Sequence, residues 1–201
     1  MKLFLIRHGA TPWTRARRYQ GKTDVPLSRE GIKQARAIAR TLKLESPTRL
    51  YTSTLQRARN TAQILGQRLG LKSVADARLN ELDFGRWEGA YYPGLAKSSG
   101  AKFGRWRKGI LRKPPGGESI TSLARRVAQF FKDIVEQHSE ETVAVVSHGG
   151  PIKMFLFKVL GAKSPSIWSF RVDPGSISLI EGDRGLLQIV WVNRTDHLNS
   201  R

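Results

Sequence analysis

Leu3-Phe4-Leu5-Ile6-Arg7-His8-Gly9 reads as a short apolar strand that ends by delivering an arginine, a histidine and a glycine. Far downstream, Val143-Ala144-Val145-Val146-Ser147-His148-Gly149-Gly150 repeats the device. An unbroken apolar run of this length is what a strand buried on both faces shows. In a twisted parallel sheet, ligands collect at the carboxyl ends of strands where the strand order reverses, so two histidines at such ends meet in one crevice. A histidine after a single strand is unremarkable. Two of them, each followed by glycine and the first abutted by Arg7, mark a site.

Outward from these strands the pattern alternates strand and helix, which predicts an α/β fold: a three-layer sandwich with a mostly parallel, doubly wound sheet flanked by helices. Ser28 is positioned to cap a helix whose Ile32, Ala35, Ile38, Ala39 and Leu42 recur at helical spacing. Leu50 and Tyr51 close a short strand. Ser53 or Thr54 then caps a second helix carrying Leu55, Ala58, Ala62, Leu65 and Leu69 on one face, with Gly70 as its stop. From about 87 to 115 periodicity is weak and Gly, Pro, Ser and aromatics abound, so this stretch reads as an irregular excursion with some helix. Gly116-Gly117-Glu118-Ser119 opens another helix, with Leu123, Val127, Phe130, Phe131 and Ile134 as its apolar stripe. Pro151 suits the first turn of the next helix and Gly161 its end. Two further strands are expected around Ile177–Ile180 and Leu187–Val192.

The 201 residues suffice for one α/β domain spanning 1–201. With no cysteine the chain has neither disulfides nor thiolate metal sites, a composition that suits a cytoplasmic enzyme. No apolar stretch approaches the roughly 20 residues of a membrane span, and Leu3–Ile6 is too short for a signal-peptide core, so no membrane partner is expected. Lysine and arginine total 35 against 16 acidic residues, a net charge of +19 with a pI near 11.1. Such an excess attracts anionic ligands and polyanions. Most of these charges are scattered along helices, so nucleic acid is expected only as a non-specific electrostatic partner. Two clusters are denser and are candidates to flank the crevice: Arg15, Arg17 and Arg18, and then Lys102, Arg105, Arg107, Lys108, Arg112 and Lys113.

Between the two histidine-bearing strands lie Trp13, Gln20-Gly21, Asp24, Pro26-Leu27-Ser28, Ser53-Thr54-Leu55-Gln56-Arg57-Ala58 with Thr61-Ala62, Glu81-Leu82, Gly85, Trp87-Glu88-Gly89 and Gly116-Gly117-Glu118-Ser119. In that order, and from Lys2 to about His197, they resemble the histidine phosphatase superfamily, the phosphoglycerate mutase-like enzymes. The Pro-Gly-Gly-Glu-Ser stretch and the length are similar to its broad-specificity and α-ribazole phosphatase branches. Two positions depart from the common pattern: Ala10 stands where many members have Glu, and Thr14 where many have Asn. Threonine retains a hydroxyl able to donate to a phosphate oxygen. The resemblance implies that the 87–115 excursion is an insertion covering the active site.

Phosphoryl transfer needs an in-line nucleophile and positive donors for the equatorial oxygens. Neutral imidazole is a competent nucleophile near neutral pH, and His8 is the candidate; the resemblance implies a phosphohistidine there, later hydrolysed by water. Arg7 and Arg57 fit the oxygen clamp through paired, permanently charged donors. His148, ahead of a helix N-terminus, is expected to donate to the same phosphate, with Gly149 allowing close backbone approach. Gln20 and Gly21 add polar contacts or form a plain turn. For the leaving group's proton the candidate is Glu81, in the role the resemblance implies; burial would hold its proton and neighbouring cations would remove it. Glu118 is a second, weaker candidate. No metal or other cofactor is required, and no pair among His8, His138, His148 and His197 has a helical metal-motif spacing.

The chemistry points to a metal-independent phosphomonoesterase acting on a small anionic phosphorylated metabolite, as a monomer or homodimer. Two alternatives remain: a cofactor-dependent phosphoglycerate mutase, which would have to exclude water, and a polyanion-binding protein on a phosphatase fold. A further expectation is that Tyr91, Tyr92, Phe103, Arg105, Trp106 and Arg107 select the part of the substrate that does not react.

Overall fold

Strand β1 (Lys2–Arg7) buries four apolar residues in succession, and they enter two different cores. Leu3 and Leu5 join one cluster, Phe4 and Ile6 the other, because successive side chains of a strand point to opposite faces. A sheet with such a strand at its centre needs helices on both sides. The computed structural model describes residues 1–98, 100–108, 111, 113–162 and 169–199, leaving aside the side chains of residues 96 and 107. After β1 come α1 (Pro12–Arg15), α2 (Arg29–Glu45), β2 (Arg49–Thr52), α3 (Gln56–Leu69), β3 (Ser73–Ala75), α4 (Tyr92–Ser98), α5 (Gly100–Arg107), α6 (Ile120–Gln137), β4 (Thr142–Ser147), α7 (Gly149–Val159), β5 (Ile177–Gly182) and β6 (Leu187–Arg194). Helices α2 and α3 cover the Phe4/Ile6 face and α6 and α7 the Leu3/Leu5 face, giving three layers.

The strand order is β3-β2-β4-β1-β5-β6. The first four run parallel, β5 runs antiparallel to β1, and β6 turns back antiparallel to β5. Strand β4 therefore inserts beside β1 although a long stretch of chain separates them, and Arg7 falls opposite Ser147. The two histidine-bearing ends share one edge of the sheet.

Local chemistry sets the boundaries. The Ser28 hydroxyl oxygen accepts the Gly31 N–H at 3.1 Å, capping α2, and the hydroxyl donates to the Ala10 carbonyl. Gly70 ends α3 at a φ of 73°, a conformation glycine adopts without strain. The cap expected at Ser53 or Thr54 is not used: Leu55 is the N-cap residue of α3 and makes no side-chain cap bond. Both hydroxyls instead donate to Asn80 Oδ1, at 2.7 and 2.9 Å. Strand β3 had no apolar run to announce it, being short and exposed throughout.

The 87–115 excursion holds α4 and α5, and their apolar side chains turn inward. Leu95, Phe103 and Trp106 are buried against Trp87 and the α6 core, with Trp106 6.0 Å from Trp87. Lys102, Arg105, Lys108 and Lys113 are left exposed, and the Arg107 side chain and Arg112 lie outside the described residues.

A close approach seats the β1 loop on α2. A Cβ added at Gly31 would lie 2.1 Å from the Ala10 carbonyl oxygen, and one at Gly9 would lie 2.3 Å from the Gly31 oxygen. Gly31→Ala is therefore expected to destabilise the protein by roughly 1–3 kcal/mol. Nothing lies within 4 Å of a Cβ at Gly104 inside α5, so Gly104→Ala should stabilise by about 0.5–1 kcal/mol. Denaturant midpoints of the two variants test this, and shifts of the same sign would remove the close-packing account.

Candidate active site

The backbone at the end of β1 is held from both flanks. His8 N–H donates to the Ser147 carbonyl at 3.0 Å, Arg7 N–H to the Ser176 carbonyl, and the Gly175 N–H reaches the carbonyls of Arg7 and His8. His197, buried near the end of the chain, braces Gly175 through a 3.0 Å bond from Nε2 to its carbonyl. The His8 ring then has one available hydrogen-bonding arrangement. Its Nδ1 lies 2.8 Å from the Gly9 carbonyl, which only accepts, so Nδ1 carries the proton and Nε2 the lone pair. Burial, followed by the charges of Arg57 and Arg7, pushes the His8 pKa well below the usual imidazole value, so the ring stays neutral at physiological pH.

Edge-on to it, at 5.0 Å between centroids, stands His148. Arg57 Nε donates to His148 Nδ1 at 3.2 Å, leaving the ring proton on Nε2, which donates to Ser53 Oγ at 2.8 Å. The other Arg57 nitrogens donate to the Thr23 and Gly21 carbonyls at 3.1 and 2.7 Å. Burial lowers Arg57 to about 10, still charged at neutral pH. His148 is also pushed well down, by burial and then by Arg57.

A cavity of about 490 Å³ opens in front of His8, lined by Arg7, Gln20, Glu81, Gly149 and Gly150 among others. Of the residues predicted for the site, His8, Arg7, Thr14, Gln20, Glu81 and Gly149 line it; Arg57, His148 and Gly21 do not. In the empty site three of the five Arg57 N–H groups and both His148 nitrogens have protein partners. Gly21 adds no contact to the cavity. It is glycine because a Cβ would lie 2.2 Å from Glu88 Oε1, and its carbonyl holds Arg57. Thr14 borders the cavity, but its hydroxyl donates to the Thr11 carbonyl within its own turn. Free donor capacity lies instead with Arg7 Nε and Gln20 Nε2, both buried and without a partner.

Glu81 lines the same cavity. Its carboxylate accepts N–H bonds from Leu82 at 2.9 Å and from Gly150 at 3.1 Å. A Cβ on Gly150 would lie 2.3 Å from Glu81 Oε1, while one on Gly149 would make ordinary contact with the Arg7 guanidinium at 3.6 Å. Gly150 thus makes room for the Glu81 carboxyl group. Arg126 holds the Glu81 carbonyl and is itself gripped by Glu118 at 2.9 Å. Glu118 is therefore not in the cavity; it positions Glu81 at one remove. His138, bonded to Tyr51 and Glu141, lies outside the cavity as well.

The cavity lining includes Tyr92, which the sequence reading named, and three residues that it passed over: Lys153, Arg171 and Asp173. Lys153 was findable, since it falls one helical turn beyond Gly149. Arg17 and Arg18 of the first basic cluster line the mouth, but no described residue of the second does, which removes the basis for Arg105 as a substrate-selecting group. Among the described residues no three His, Asp or Glu side chains gather as a metal cage needs, and no helix is long and apolar enough to cross a membrane.

The family model of the histidine phosphatase superfamily (branch 1) matches residues 3–195. Phosphoserine phosphatase 1 of Hydrogenobacter thermophilus is 33% identical over 203 residues, covering 98% of this chain and 94% of that protein. Among solved structures, phosphoserine phosphatase from Entamoeba histolytica in complex with 3-phosphoglyceric acid superposes with a TM-score of 0.88 at 30% identity, covering 98% of each chain. The α-ribazole phosphatase of Shigella flexneri does so at 0.85 and 29%, covering 96% of each.

Two buried neutral histidines have a consequence for stability. Their folded pKa values lie below the unfolded value of roughly 6.5, so below that pH the unfolded chain binds protons that the folded chain refuses. Stability is expected to fall as pH drops from 7 to 5, with a shallower fall in His148→Gln. Thermal melts across this range check it; an equal slope in the variant would assign the loss to other groups.

Proposed function

The chain belongs to the histidine phosphatase superfamily, branch 1, and from that premise we propose that it hydrolyses the phosphomonoester of a small metabolite through a phosphohistidine at His8, without a metal ion. One observation carries the reading: the lone pair of His8 Nε2 belongs to a ring that lines a cavity whose buried, unpartnered side-chain donors are Arg7 Nε and Gln20 Nε2. A phosphoryl group offers acceptors only, so it satisfies both.

In the first step Nε2 attacks phosphorus, the bond to the leaving oxygen breaks, and Glu81 gives that oxygen its proton. Arg7, Gln20 and the amides beside Gly149 take the equatorial oxygens at the start of α7. Arg57 and His148, packed beside the His8 ring, supply positive charge and further donors to the phosphoryl group. In the second step water attacks the phosphohistidine, Glu81 accepts its proton, and inorganic phosphate leaves with His8 restored. The charge that a metal would supply elsewhere comes here from Arg7 and Arg57.

Hydrolysis rather than transfer is supported by the excursion: among the described residues it gives only Tyr92 and Pro93 to the cavity, leaving a path for water. The similar phosphoserine phosphatases, one holding 3-phosphoglyceric acid, support phosphoserine- and phosphoglycerate-like substrates for this chain. We place the enzyme in the cytoplasm, acting as one catalytic domain.

Phosphate release in excess EDTA, wild type against His8→Ala, tests the scheme. EDTA-resistant turnover that drops by roughly 10³-fold or more in the variant is expected, together with acid-labile phosphate on quenched wild type. Activity that vanishes with EDTA, or survives in His8→Ala, would sink it. Glu81→Gln should slow an alkyl phosphate by roughly 10²–10⁴-fold and a nitrophenyl phosphate far less, because nitrophenolate leaves without a proton. Equal losses on both would deny Glu81 the acid role.

A further inference from the structure

The backbone on either side of Gln20 is held. The Tyr19 N–H donates to the Ala90 carbonyl and the Gly89 N–H to the Tyr19 carbonyl, at 3.0 and 2.8 Å, while the Gly21 carbonyl takes an Arg57 N–H. None of these bonds decides which end of the Gln20 amide faces the cavity. The last torsion of a glutamine side chain is broad and close to two-fold, so its oxygen and nitrogen exchange places without any movement of the backbone. At a phosphoryl group the exchange matters, because Nε2 donates to oxygens that only accept, whereas Oε1 turns a lone pair toward them.

Thr11 breaks that symmetry. It is fully buried, does not itself line the cavity, and caps the short helix α1 in a box closed with Thr14. The Thr14 N–H donates to Thr11 Oγ1 at 3.1 Å, and the Thr14 hydroxyl accepts the Thr11 N–H and donates to the Thr11 carbonyl. Just ahead, the Ala10 N–H donates to Gln34 Oε1 at 2.7 Å and its carbonyl accepts the Ser28 hydroxyl, so the threonine is fixed in place. A hydroxyl has one proton and two lone pairs. With one lone pair given to Thr14, the Thr11 proton goes to Gln20 Oε1 at 2.8 Å. A reversed amide would set that proton against an NH2 group and leave a buried donor without an acceptor. Nε2 is thereby turned away from Thr11, buried and without a partner, on a side chain that lines the cavity.

Resting on the hydrolase reading above, we infer that Thr11 is a positioning residue for phosphoryl recognition: its hydroxyl proton holds the Gln20 amide with Nε2 turned to the phosphoryl oxygens. Thr11 acts through Gln20 and not on the substrate. The same arrangement gives the Thr14 hydroxyl its task, which is to hold the Thr11 backbone within the turn while the Thr14 N–H fixes the direction of the Thr11 proton.

A double-mutant cycle tests this, read by calorimetric binding of orthovanadate and by kcat/KM on nitrophenyl phosphate. Thr11→Val removes the proton and keeps the shape, and is expected to lower both quantities by about tenfold, the worth of one charge-assisted hydrogen bond. Thr11→Ser keeps the proton and should stay close to wild type. In a Gln20→Ala background there is no amide to orient, so Thr11→Val should cost less than about twofold there. Thr11→Ala carries the same cycle if the valine variant does not fold. A loss by the same factor in both backgrounds assigns Thr11 a purely structural role and overturns the inference, as does a Thr11→Val protein that matches wild type or a Thr11→Ser protein as impaired as Thr11→Val. A wild type that binds vanadate but hydrolyses no phosphomonoester overturns the hydrolase reading alone, and the cycle is then read from binding. A wild type that does neither overturns both.

Discussion

The pairing of β1 with β4 is the constraint on which the rest depends. Arg7 opposite Ser147, and His8 N–H on the Ser147 carbonyl, bring two histidines within van der Waals reach of one another. The register is secured by burial on both faces: Leu3 and Val143 enter one core while Phe4 and Ala144 enter the other. A one-residue slip would exchange the faces of every side chain on the strand and press Phe4 into the space shaped for Leu3 or Leu5. Catalytic geometry at the strand end is thus enforced by packing along its whole length. The antiparallel return through β5 completes the clamp, since Ser176 and Gly175 hold the other side of the Arg7-His8 backbone.

Around that point the protein accepts local instability. Both histidines are kept neutral inside a field of buried guanidinium groups, and Arg7 Nε and Gln20 Nε2 are withheld from partners. An unsatisfied buried donor costs on the order of 1–3 kcal/mol, and the penalty is relieved only when acceptor oxygens enter. Interactions unmade in the empty site and complete around a transferring phosphoryl group favour the transition state over the resting protein. The tautomers follow the same economy of arrangement: a carbonyl sets the proton of His8 and a guanidinium sets that of His148, so neither ring depends on solvent for its state.

Much of this was legible in the sequence. The apolar runs ending in His8 and His148, the helical spacing of Ile38 and Leu42 or Phe130 and Ile134, and the Ser28 cap all follow from local rules, and the structure has those elements. What was not legible depends on tertiary competition. Ser53 and Thr54 look like caps, but Asn80, brought in from beyond β3, takes both hydroxyls. Arg57 and His148 carry the right chemistry for a phosphate clamp, but their partners, the Gly21 and Thr23 carbonyls and Ser53, come from distant chain and are not legible locally. The basic, aromatic excursion suggested a selecting lid. Phe103 and Trp106 are core residues, the charges beside them are what a helix shows to water once those rings turn inward, and of the aromatics only Tyr92 among the described residues lines the cavity.

The net charge of +19 takes on meaning through where its parts lie. Arginines and lysines on the outer faces of α2 and α6 raise the potential of the whole surface and draw anions toward it without distinguishing among them. Discrimination requires that a cation be partly removed from water, because an exposed ammonium or guanidinium is screened and already solvated.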